Sequence, residues 1–132
     1  MQLAKQSGNQ GYGVVVVLGQ AILGQAHDTT VTDRAPGRHA EVNAIRQAVQ
    51  AHGDGNLSGA ILFSTCEPCP RCSALAVWAN LITVVYGASI EETANLGRSR
   101  IRVSAQEIIE RSPVMIDVIG GVLRDECRSL YV

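Results

Sequence analysis

The stretch Ser64-Thr-Cys-Glu-Pro-Cys-Pro-Arg-Cys72 constrains this chain more than any other feature. The apolar run Ala60-Ile-Leu-Phe63 leads into it and reads as a buried strand. Pro70 suits the first turn of a helix carrying Cys72, Leu75, Ala76 and Ala79. A strand therefore gives way to a helix across the prolines, with Cys69 and Cys72 at i and i+3 on the helix opening. Three cysteines within seven residues, Cys66, Cys69 and Cys72, suit a disulfide framework, a metal or reactive thiols. No basic-then-apolar leader precedes them, so a cytoplasmic, reducing setting is expected, and with it metal or reactive thiols.

The rest of the chain alternates in the same way. Gly13-Val-Val-Val-Val-Leu18 is a β-branched run that reads as a strand buried on both faces, with Ala21-Ile-Leu-Gly24 as its hairpin partner. Residues Asp28–Gly37 are loop-like. From His39, Ala40, Ala44, Ile45, Ala48 and Val49 recur at helical spacing to about Ala51, and His52-Gly-Asp-Gly-Asn56 ends that helix. Thr83–Tyr86 is a third buried strand, and Ser104-Ala-Gln-Glu107 opens a short helix to Arg111. Pro113–Val118 suits an edge strand and Gly121–Leu130 a last helix. Strands alternating with helices predict an α/β sandwich with a mixed sheet, and 132 residues suit a single domain spanning 1–132.

Two helix openings carry the chemistry. Thiolates at Cys69 and Cys72 are favoured by unpaired backbone N–H groups in a first helical turn, and His39 is a third donor suited to zinc. Three protein ligands leave one tetrahedral position open, and zinc lowers the pKa of a water there from about 15.7 toward about 7. Glu41 does not share a helix face with His39, so it fits a proton carrier beside that water better than a fourth ligand. The alternative is a closed structural site, for which Cys66 is the only nearby fourth ligand. Cys66 and Cys127 otherwise suit packing. His27 and His52 suit surface positions.

His-x-Glu followed by Pro-Cys-x-x-Cys is the signature of zinc deaminases. With His39-Ala-Glu-Val-Asn-Ala-Ile-Arg46, Ser64–Cys72, Val84-Val-Tyr-Gly-Ala88 and Gly120-Gly-Val-Leu-Arg-Asp-Glu-Cys127, the chain resembles the cytidine deaminase-like superfamily, in its guanine deaminase and tRNA adenosine deaminase branch. The resemblance implies a three-layer α/β/α fold, Zn²⁺ on His39, Cys69 and Cys72, Glu41 as proton shuttle, and a homodimer whose subunits border each other's active sites. It implies a substrate contact at Asp28, where branch members commonly carry Asn, and places Glu67 beside the site, where a structural contact with the backbone is expected ahead of a contact with substrate. Trp78 suits the core or a dimer interface, with the pocket wall as the lesser reading. Leu3-Ala4-Lys5 resembles the end of the family's first helix. Arg98-Ser-Arg100 stands where guanine deaminases carry acidic residues; Arg98, Arg100 and Arg102 are expected on a solvated face.

Composition bears on the substrate. Eleven basic against twelve acidic residues give a net charge of −1, which argues against a general nucleic-acid binder. The apolar runs near Val14–Leu18 and Ile82–Tyr86 are too short to span a membrane. Residues Glu110–Val132 carry three Arg against four acids, with no basic aromatic tail for an anticodon loop. The expectation is therefore a small nucleobase, nucleoside or related N-heterocycle, ahead of adenosine in tRNA and ahead of a non-catalytic zinc module.

Overall fold

The β-branched run Gly13–Leu18 forms β1, an inner strand of a five-stranded sheet in the computed structural model, which describes residues 13–132. The resemblance noted at Leu3-Ala4-Lys5 lies outside those residues. Strand β1 pairs antiparallel with β2 (Ala21–His27) on one side and with β3 (Ile61–Cys66) on the other. Strand β3 then pairs parallel with β4 (Thr83–Ala88), and β4 with β5 (Asp117–Ile119). The order β2-β1-β3-β4-β5 is the mixed sheet that the alternating pattern predicts. Strand β2 runs three residues past the expected Gly24, because Gln25, Ala26 and His27 pair with Val15, Val14 and Gly13.

Five helices complete the described residues: α1 (Ala40–His52), α2 (Pro70–Trp78), α3 (Ile90–Asn95), α4 (Ala105–Glu110) and α5 (Arg124–Ser129). Side chains alternate across a strand, and Val14, Val16, Leu62 and Val84 share one face. There they form a core with Ala40, Ala44, Ile45 and Ala48 of α1, Ala76 and Val77 of α2, and Ile109 of α4. Gly24 lets α1 approach this closely, since a Cβ there would lie 2.2 Å from the Ala44 carbonyl oxygen. On the opposite face, a Cβ at Gly87 would meet the Cys127 sulfur, which places α5 over β4. Helices on both faces of the sheet give the α/β/α layering.

Three elements depart from the sequence reading. Helix α3 was not expected, although Ser89 and Glu92 form a complete capping box at its start. Strand β5 shrinks to three residues, and α5 begins only at Arg124, after Leu123 adopts a left-handed φ of 50°. No helix of the described residues is long and apolar enough to cross a membrane.

Candidate metal centre and active site

The parallel pair β3–β4 delivers β3 to the opening of α2, and the loop after β2 delivers the chain to the opening of α1. Both helices start alike. His39 caps α1 with φ −64° and ψ 159°, and Cys69 caps α2 with φ −67° and ψ 168°. Pro70 enforces the second, because a residue before proline is excluded from the helical region. Neither residue makes the usual side-chain cap hydrogen bond. Two positions that usually hold a Ser or Asp cap are given to an imidazole and a sulfur instead. Cys72 is the third residue into α2, and side chains at N-cap and N3 face each other. That brings the two sulfurs together.

His39 Nδ1 lies 3.6 Å from the Cys69 sulfur and 3.6 Å from the Cys72 sulfur. All three donor atoms fall within 4.8 Å of one another. A tetrahedral zinc with ordinary Zn–N and Zn–S bonds sets an N–S separation of about 3.6 Å. The donor set, two thiolates and a neutral imidazole, therefore fits zinc in chemistry and in spacing.

The protons of the cluster are shared. The Cys72 hydrogen bond, with help from His39, pushes Cys69 down to about 4, so Cys69 is the thiolate. Cys72 is pushed up because it holds the proton next to that thiolate, and burial adds to this. The Cys69 contact raises His39 against the opposing effect of burial. A bound cation displaces these protons.

Glu41 brings a carboxylate to the cluster. It is 6% exposed, and burial raises its pKa, while the neighbouring Cys72 pulls the other way. Because His39 stands at the cap rather than within the helix, the i, i+2 spacing does not separate the two. Ser64 on β3, not singled out from sequence, lies beside it. The Ser64 hydroxyl faces Glu41 Oε1 at 3.2 Å and the Cys66 carbonyl oxygen at 2.6 Å.

Asp28 is also brought to the site. It is 1% exposed, with Oδ1 accepting from the Thr30 amide at 3.0 Å and the Thr30 hydroxyl at 2.7 Å. Its charge is felt at His39. The loop that carries it is pinned by Asn43, whose amide donates to the His27 carbonyl at 2.9 Å and to the Thr29 hydroxyl at 2.8 Å. Asn43 was another silent position in the sequence.

Glu67 makes the backbone contacts expected of it, and Trp78 is not in the core. Both Glu67 oxygens are taken by backbone: Oε1 accepts from Ile90 N at 2.9 Å and Oε2 from Ala105 N at 2.8 Å. This carboxylate joins the starts of α3 and α4 instead of facing a pocket. Trp78 is 74% exposed at the far end of α2 from the sulfurs. The solvated face expected of the arginines also breaks up. Arg102 pairs with Glu91 at the surface, Arg98 lies 5.5 Å over the Tyr131 ring, and Arg100 turns inward to Cys66, Thr93 and Glu67. Cys66 is buried, and Cys127 packs in the same small cluster with Tyr131.

Residues 1–88 match the cytidine and deoxycytidylate deaminase zinc-binding region. The chain is 34% identical over 127 residues to the tRNA-specific adenosine deaminase of Bacillus subtilis (strain 168), covering 96% of this chain and 76% of that protein. It is 37% identical over 86 residues to the guanine deaminase of the same organism, covering 65% of this chain and 55% of that protein. The match thus spans about half the length of the guanine deaminase. A solved structure from a study of A-to-I editing by tRNA:A34 deaminases superposes with a TM-score of 0.83 at 26% identity, over 98% of this chain and 91% of that one. The chain belongs to the zinc-binding cytidine and deoxycytidylate deaminase family, enzymes of hydrolytic C–N cleavage on nucleobases or nucleosides, with zinc as the cofactor that its His–Cys–Cys group fits.

Proposed function

We propose that this chain hydrolyses the exocyclic amino group of a small nucleobase, giving the oxo base and ammonia. The observation that carries the proposal is the buried Glu41 carboxylate held beside a three-donor His–Cys–Cys group. A structural zinc site has no use for such a carboxylate. His39, Cys69 and Cys72 would hold the zinc, which when bound activates a water molecule at the position that three ligands leave open.

Glu41 moves the protons. Its carboxylate accepts the proton that the attacking water loses and delivers it to the ring nitrogen next to the reacting carbon. It then carries the second proton to the departing amine. Burial suits it to this role, because a raised proton affinity makes its carboxylate a better proton acceptor than an exposed glutamate. The Ser64 hydroxyl oxygen, 3.2 Å from Oε1, is in place to accept from Glu41 when it carries the proton.

Asp28 supports a free base as the substrate. A carboxylate can only accept hydrogen bonds, whereas an Asn amide can also donate. A free purine or a ring bearing N–H offers Asp28 a proton. An adenine ring joined to a ribose offers, apart from its amine, only bare ring nitrogens, its other donors being the sugar hydroxyls. The net charge of −1 supports the same choice. The second reading, adenosine in tRNA, is favoured by the match along 96% of this chain to a tRNA-specific adenosine deaminase. The homodimer implied by the family resemblance belongs to the same proposal. The exposed Trp78 offers it an apolar contact, and sedimentation velocity reports it.

The test is ammonia release from guanine, adenine, cytosine, isocytosine, pterins and their nucleosides, beside inosine formation in tRNA transcripts. Turnover of at least one free base, with tRNA unchanged, is the expected result. Inosine formation with every base inert would replace the first reading by the second.

A further inference from the structure

The deaminase reading leaves one inward-facing cation unassigned. Arg100 lies after α3 and spends three N–H groups on α3 and on the residues just before the zinc ligands. Nη1 donates to the Cys66 sulfur at 2.6 Å and to the Thr93 hydroxyl at 2.8 Å, and Nη2 donates to the Glu67 carbonyl oxygen at 2.6 Å. Thr93 is fully buried, and its own hydroxyl proton goes to the Ser89 and Ile90 carbonyls, so it meets Arg100 as an acceptor.

The contacts at Glu67 close a ring of restraints. Its amide donates to the Ala88 carbonyl at 2.7 Å, its two carboxylate oxygens take the Ile90 and Ala105 amides, and its carbonyl takes Arg100. Every polar atom of Glu67 is thus held, two residues before the Cys69 sulfur. The next residue is tied as well, since the Ser73 hydroxyl donates to the Pro68 carbonyl at 3.3 Å. A planar guanidinium reaches a sulfur, a hydroxyl and a carbonyl at once because its donors diverge in a fixed fork; an ammonium is a single point on a flexible stem.

We propose that Arg100 is a positioning residue for the zinc ligands: through the Glu67 carbonyl and the Cys66 sulfur it fixes the loop that aims Cys69 and Cys72 at His39. Groups that hydrogen-bond a metal's ligands orient them, and losing one typically costs about 10- to 100-fold in metal affinity or activity; Arg100 acts one step further out, through the backbone that carries the ligands, so the low end of that range is expected. The proposal rests on the zinc reading above, and its test separates the two.

Zinc-loaded wild type, Arg100→Met, Arg100→Lys and Cys66→Ala are compared in three measurements. These are the rate of zinc release to a chromogenic chelator well below the unfolding temperature, the absorption spectrum of the cobalt-substituted protein, and thermal unfolding. Arg100→Met is expected to release zinc about 10-fold faster, with a shifted cobalt spectrum at full loading. Arg100→Lys fails to restore the wild-type rate, and Cys66→Ala, which keeps the Glu67 contact, has a smaller effect. If Arg100→Met does not fold, the same acceleration must appear in Arg100→Lys. Variants that melt earlier but release zinc at the wild-type rate, with an unchanged cobalt spectrum, overturn the proposal and leave Arg100 a support of the fold alone. A wild type that takes up no stoichiometric zinc defeats the zinc reading itself.

Discussion

At the scale of single residues, five positions divide the labour around the cluster. The sulfurs and imidazole meet because each sits at a helix opening whose own cap has been given up. Glu41 is buried next to them, and Asp28 is buried in the loop that leads to His39. Asp28 gives the sharpest residue-scale prediction. Asp28→Asn adds a donor while keeping size, so bare ring nitrogens become acceptable partners. Its ratio of kcat/KM for adenosine over an N–H-bearing free base should rise by about 10-fold, the value of one hydrogen bond to a correctly matched group. Steady-state kinetics on the two substrates measure it. An unchanged ratio removes Asp28 from substrate recognition.

Between elements, the site depends on short helices docked by side chains rather than by large apolar faces. Glu92 shows how. Its Oε1 accepts from the Ser89 amide at 3.1 Å, and its Oε2 accepts from Arg124 at 2.6 Å and pairs with Arg128 at 3.4 Å. One carboxylate thus caps α3 and ties α5 to it. Burial alone pushes Glu92 up, but the Arg124 and Ser89 bonds outweigh this and leave its pKa below the usual glutamate value of 4.5. A depressed folded-state pKa stabilises the fold above the unfolded value, and the contribution fades as pH falls through the folded one. Glu92→Gln, which can keep the contact with the Ser89 amide, should therefore lower stability by about 0.3–1 kcal/mol at neutral pH for the charge lost at the start of α3. It should lose less at strong acid, where wild-type Glu92 is already protonated. Thermal unfolding from pH 7 to pH 2 reports it. Equal losses at both ends would deny the carboxylate its charge-dependent role.

The elements that carry the ligands were legible in the sequence because their signals are local. A β-branched run, a proline at a helix start and two motifs at fixed spacing identify β1, β3, α1 and α2 within a few residues. Helix α3 escaped although Ser89 and Glu92 spell its cap, because six residues are too few to display a periodicity. What could not be read was long-range. Ser64 reaches Glu41 from another element, Arg100 turns inward across the loop, and Glu67 spends its carboxylate on two helix ends. None of these has a spacing rule. Alternation in Arg98, Arg100 and Arg102 predicts a common face, yet the three side chains go to an aromatic ring, a buried network and a surface acid.

Over the whole molecule, a mixed sheet holds two helix openings against each other, and the family's zinc-dependent chemistry follows from what stands there. The central claim is that the zinc site is catalytic and that Glu41 is its proton carrier. Glu41→Gln tests it most directly, with zinc stoichiometry and ammonia release measured on the same preparation as wild type. The expected outcome is full zinc occupancy in both proteins and a turnover lower by about 10²- to 10⁴-fold in the variant, the range for removing a general acid–base. Full zinc with undiminished ammonia release from an accepted substrate would contradict the account.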